Sequence, residues 1–100
     1  KDSMPARWET PKLKRLVAIL GNLKTEKEML AFLRDLCTLE ELAEISSRWQ
    51  AVELLDKNLP YREIADQTGL STTTVTRVAH WLYHGEGGYR VALSKLKAKL

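Results

Sequence analysis

Between residues 71 and 77 the chain reads STTTVTR, which sets five hydroxyls and one guanidinium within seven positions. Threonine hydroxyls donate or accept hydrogen bonds at base edges, and their methyl groups fit against thymine methyls. Arginine pairs with a guanine edge or a phosphate. Four threonines in the five positions 72–76 make a poor helix, because β-branched side chains lose rotamer freedom there. A merely solvated helix face leaves that cost unexplained; contact with bases explains it. If Val75, Val78, Ala79 and Leu82 face a core, a helix of about 3.6 residues per turn directs Thr73, Thr76, Arg77, His80 and His84 outward. The candidate DNA-contacting set is Arg62, Ser71, Thr72, Thr73, Thr76, Arg77 and His80, and the expected partner is double-stranded DNA.

Such side chains need a rigid support, and the flanking residues supply one. The segment PYREIADQTGLSTTTVTRVAHWLY, residues 60–83, predicts two helices joined by the three residues 69–71. Ala65 is small where the second helix must cross the first. Gly69 allows the positive φ that ends the first helix. Leu70 anchors the turn and Ser71 caps the second helix. Ile64, Val75, Val78 and Leu82 form a shared apolar underside. The pattern reads as a helix-turn-helix over about residues 60–83, with the recognition helix at 71–83. In this geometry the helix N-terminus enters the major groove first.

The remaining chain is helical in pattern, with no convincing strand, repeat or low-complexity tract. Leu13, Leu16, Val17 and Leu20 mark one face of a first helix stopped near Gly21 and Asn22. Thr25 and Glu28 form a capping box for a second helix with Met29, Phe32, Leu33 and Leu36 on its apolar face. Thr38 and Glu41 form another for a third, longest helix, where Leu42, Ile45, Trp49 and Val52 make a seam. That seam fits packing within one chain or between two. Asn58 to Pro60 break this helix, and Pro60 suits the opening of the next. Gly85, Glu86, Gly87 and Gly88 read as a mobile connector to a final helix carrying Tyr89, Leu93, Leu96 and Leu100 on one face. The fold class expected is all-α: about six short helices in a single domain over residues 1–100.

With 100 residues, a net charge of +3 and a sequence pI near 9.1, the composition permits a nucleic-acid partner without requiring one. Cys37 is the lone cysteine, so no intrachain disulfide is expected. No apolar run reaches the roughly 18 residues of a membrane span. The N-terminal residues, among them Lys1, Asp2 and Arg7, do not read as a secretory signal; the expected location is the cytoplasm.

From about Cys37 to Leu82 the sequence resembles the Trp repressor family, and more closely its YerC/YecD-type members. TLEELAEISSRWQAVELL and REIADQTGLSTTTVTR carry the likeness. The resemblance implies small helical regulators whose chains interlock as a homodimer with a helix-turn-helix on each side. It carries DNA contact to Arg62, Thr72, Thr73 and Thr76. It also implies an effector pocket for tryptophan at Thr38, Arg48, Thr74 and Arg77, an indole between guanidinium planes. Val78 and Trp81 stand where the repressor has a glycine and a serine, and both should crowd that pocket. No cofactor is therefore expected: L-tryptophan as corepressor is disfavoured, and another small effector stays open. Arg48 has an alternative role in an ion pair with Glu44 or Glu53. Tyr61 and Ala65 replace basic or polar family residues, so the operator sequence does not transfer.

Other signals are weaker. His80 and His84 have metal-pair spacing, but a closed site needs four ligands; they read as solvent-facing or phosphate-contacting. GEGG at 85–88 follows a helix and lacks the lysine of a phosphate loop. Cys37 has no evident histidine partner and no catalytic motif is present, so neither catalysis nor a metal is expected. Trp8, Trp49 and Trp81 read as core or interface residues. The leading expectation is a sequence-specific transcriptional regulator, a repressor in the commonest case. A helical protein-interaction module would instead show an apolar recognition face, and a small-molecule sensor would show a roomy pocket near Arg48 and Arg77.

Overall fold

A computed structural model of the chain describes residues 6–99; Lys1, Asp2 and Leu100, named above, lie outside them. The described residues form six helices and no strand: α1 Pro11–Asn22, α2 Glu26–Leu36, α3 Leu39–Asp56, α4 Tyr61–Thr68, α5 Thr72–His84 and α6 Gly88–Lys99. The chain divides into two compact units between Thr38 and Leu39.

The first unit holds α1 and α2, and its helix starts are chemically well defined. Thr10 Oγ1 accepts the Leu13 N–H at 3.1 Å, with Pro11 in the first turn, where a missing N–H costs nothing. Thr25 Oγ1 accepts the Glu28 N–H at 3.1 Å, as the spacing predicts. The return half of the expected capping box differs: Glu28 Oε1 accepts from the Lys24 N–H at 3.0 Å, not from Thr25. The carboxylate reaches one residue further and satisfies a donor just outside the helix. None of the described residues up to Thr38 is buried. Val17, Ile19, Leu30 and Leu36 are all about half exposed or more, so the apolar stripes form without a core beneath them.

The second unit has a core. Ala51, Val52 and Leu55 of α3, Ile64 of α4, Val75, Val78, Ala79 and Leu82 of α5, and Leu93 of α6 form one buried cluster. Trp49, Leu54, Leu59, Ala65, Leu70 and Tyr89 pack around it. Helix α3 packs against α4 and α5, α4 against α5, and α5 against α6. Each fully buried Val or Ile contributes about 1.5–3 kcal/mol through removal from water. The seam expected along α3 is split: Val52 is buried and Trp49 half-buried, whereas Ile45 is exposed. Trp49 Nε1 donates to Glu53 Oε2 at 3.0 Å. Trp8, in the first unit, is about half exposed; in the second unit Trp81 is about half exposed and Trp49 packs against the core.

Asn58 explains where α3 stops. It adopts φ 64°, a left-handed conformation that asparagine tolerates better than most residues. The Asn58 N–H then donates to the Leu55 carbonyl at 2.9 Å and the Leu59 N–H to the Leu54 carbonyl at 3.3 Å, the paired closure of a Schellman motif. Pro60 precedes α4 as its N-cap, one position before the first-turn role expected of it. The α5–α6 connection is also tighter than a mobile glycine linker. Gly88 already belongs to α6, and a Cβ on Gly85 would run into the Trp81 carbonyl oxygen. The glycine is required there by close packing against its own helix.

Across the unit, Lys97 Nζ meets Asp56 Oδ2 at 2.8 Å, joining the end of α6 to the end of α3. Arg90 lies over the Tyr83 ring, 5.8 Å from its centroid, which joins α6 to α5. None of the described helices is long and apolar enough to cross a membrane.

Candidate nucleic-acid interface

Helices α4 and α5 are joined by Gly69, Leu70 and Ser71, and each residue has an observed task. Gly69 takes φ 81° and its N–H donates to the Ala65 carbonyl at 2.9 Å, which closes α4. Leu70 is half-buried against the core. Ser71 Oγ accepts the Thr74 N–H at 3.1 Å and caps α5. A fourth residue, Thr68, fixes the same turn: its hydroxyl donates to the Ile64 carbonyl at 2.7 Å and accepts from the Leu70 N–H at 3.2 Å. Sequence reading missed this role, because a threonine at a helix end signals no particular partner.

The turn orients α5 so that Val75, Val78, Ala79 and Leu82 are buried while Thr72, Thr73, Thr76, Arg77, His80 and His84 are exposed. Arg62, on α4, is exposed as well. Neither Arg62 nor Arg77 has an ion pair or hydrogen bond to another described residue, and the hydroxyls of Thr72 and Thr73 likewise make none. These groups therefore present unsatisfied donors and acceptors to the surroundings. Thr76 differs, since its hydroxyl donates to the Thr72 carbonyl at 2.9 Å. Ser71 is engaged in the cap and also donates to Thr74 Oγ1 at 3.1 Å, so its contribution is to hold the helix end in place. The backbone N–H groups of the first turn of α5 carry the positive end of the helix dipole, which favours an anion.

The four positions assigned to an effector pocket are distributed between the units. Thr38 ends the first; Arg48 on α3 and Thr74 and Arg77 on α5 belong to the second. Arg48 Nε pairs with Glu44 Oε2 at 3.2 Å, while Glu53 is occupied by the Trp49 indole, which selects Glu44 of the two partners considered. Thr74 is half-buried and receives the Ser71 hydroxyl. Val78 is fully buried in the core. Trp81 lines a surface groove with His80, His84, Glu86 and Tyr89 at the α5–α6 junction.

A family model described as Trp repressor protein matches residues 11–97 of this chain. The chain belongs to the Trp repressor family. Within that family it is 33% identical over 85 residues to the uncharacterized protein YerC of Bacillus subtilis, covering 85% of this chain and 82% of YerC. Among solved structures it is similar to a TrpR-like protein from Eubacterium eligens, with 30% identity and a TM-score of 0.86, covering 93% of this chain and 96% of that one. It is also similar to a candidate Trp repressor from Staphylococcus aureus, with 28% identity and a TM-score of 0.85, covering 95% of this chain and 96% of that one. The all-α Trp repressor-like fold and its helix-turn-helix are thus shared by relatives along nearly the whole chain. The family is one of DNA-binding regulators, and its fold is not typically enzymatic.

Proposed function

We propose that this Trp repressor-family protein is a sequence-specific transcriptional regulator that binds operator DNA as a homodimer, with α5 as its recognition helix. One observation carries the reading: the buried apolar side of α5 leaves an outer side of exposed Thr72, Thr73, Thr76, Arg77 and His80, with Arg62 on α4. Thr73 and Thr76 read base edges in this scheme, Arg62 and Arg77 take phosphates or guanine edges, His80 adds a phosphate contact, and Ser71 sets the helix end. A protein-interaction helix would present apolar side chains along its whole outer side; from Thr72 to His80 this one is polar, and the half-exposed Trp81 and Tyr83 lie at its C-terminal end.

The dimer is supported by the first unit, whose two capped helices bury nothing within the chain. Two helices of 12 and 11 residues are marginal without a core, and a second copy is the expected source of one. Both units then work as a single DNA-binding domain, as the span of the family match suggests. Two recognition helices would meet successive major grooves roughly 34 Å apart. Occupation of a promoter favours repression, and in this reading the protein works in the cytoplasm, where it reaches its operator. The local pairs Arg48–Glu44 and Thr74–Ser71 engage two of the four pocket positions with near neighbours in the chain, which argues against tryptophan as the corepressor.

Selection of bound fragments from a genomic DNA library, with and without tryptophan, tests the whole reading. A single enriched, two-fold-related motif in both arms is expected. Salt-independent retention with no enriched motif would overturn base reading; enrichment only with tryptophan would overturn the effector-free scheme.

A further inference from the structure

The outward side of α5 carries two groups that base reading does not use as a pair. His80 and His84 are one helical turn apart and both exposed, with ring centroids 5.2 Å apart and planes inclined by 43°. A zinc ion holds imidazole nitrogen at about 2.0–2.1 Å, and the ring centre lies about 1.1 Å further out. Two imidazoles on one tetrahedral ion therefore have centres about 5 Å apart. The pair already stands at that separation.

We propose that His80 and His84 form an open two-imidazole site for a divalent transition-metal ion at the C-terminal end of α5. The spacing of four residues is the one by which paired histidines on a helical face hold zinc. Neither ring makes a hydrogen bond to another described residue, so binding displaces only water. Among the described residues no group of three His, Cys, Asp or Glu side chains comes together to hold a metal. The remaining positions therefore go to water, and the site is an exchangeable one rather than a structural cage. Glu86 lines the same groove as both histidines and supplies a negative charge that favours a cation there. Imidazole ligands select copper, nickel or zinc over magnesium and calcium, with Cu²⁺ bound most tightly. Metal ligation requires neutral imidazole, so binding weakens as the solution becomes acidic. A bound ion would clasp residues 80–84, overlapping the final turn 81–85 that the Gly85 N–H to Trp81 carbonyl bond closes at 2.9 Å.

The test uses the full chain without a polyhistidine tag and without DNA, titrated calorimetrically with CuCl2, NiCl2 and ZnCl2. One ion per chain is expected, with Cu²⁺ tightest, and His80→Gln or His84→Gln should each weaken binding at least about tenfold. No saturable binding, or variants that bind as the parent does, would overturn the site. If either variant loses helical signal, proton NMR of the parent chain decides instead. Zinc must shift the ring resonances of His80 and His84 together, and a stationary signal from either one refutes the pairing. Because DNA is absent throughout, failure here leaves the base-reading proposal untouched.

Discussion

The two units of this chain begin their helices equally well and bury their side chains very unequally. Thr10 and Thr25 cap α1 and α2 with the same hydroxyl-to-amide bond, at 3.1 Å, that Ser71 uses for α5. Yet the described residues before Leu39 contain no buried side chain, whereas nine residues from Ala51 to Leu93 close a core. Capping fixes where a helix starts and contributes about 1 kcal/mol. Burial decides whether the helix has anything to lean on. In the second unit both terms are supplied by one chain. In the first the apolar term awaits a surface, and the proposed second copy supplies it.

This contrast can be broken experimentally. The largest effect is expected at Ile64, fully buried where α4 meets the core. Ile64→Ala should cost about 2–5 kcal/mol in urea unfolding; a smaller loss would mean that the second unit is not the stability centre. Next is the exposed stripe of the first unit. Leu30→Asp, at a position 63% exposed, should leave monomer stability nearly unchanged and weaken self-association at least about tenfold in analytical ultracentrifugation. An unchanged association constant would place the dimer contact elsewhere. Gly69→Ala forces a Cβ into a left-handed conformation and should cost about 1–2 kcal/mol, with a lowered melting temperature. Ser71→Ala removes the α5 cap and should cost about 1 kcal/mol. The smallest effect is expected at Arg62, exposed and without an ion pair among the described residues. Arg62→Ala should leave folding intact and reduce the salt slope of DNA affinity by about one unit.

Most of the helix-turn-helix was legible in the sequence because its requirements are local. Gly69 at the helix end, Ser71 at the cap, and Ile64, Val75, Val78 and Leu82 at helical spacing each specify a near neighbour. The ends of α3 were legible for the same reason. Ala51 was not, because a small side chain gives little hydrophobic signal and its burial depends on α4 and α5 lying across it. The fate of Ile45 was ambiguous from the start: its spacing satisfies a seam within one chain or between two, and within the chain it is exposed. At the candidate interface, outward placement followed from periodicity, but the hydroxyl partners did not. Rotamer choice decides whether a threonine serves its own backbone, as Thr68 does, or stays available, as Thr73 does.

Thr76 illustrates what such a choice implies for recognition. Its one proton is committed to the Thr72 carbonyl, so toward a duplex it has only lone pairs and a methyl group to offer. In the proposed complex that polarity matches the exocyclic amino group of cytosine or adenine and mismatches the two acceptors of guanine. In that proposed complex a threonine placed by its own helix would act as a filter on base identity, set before any DNA arrives.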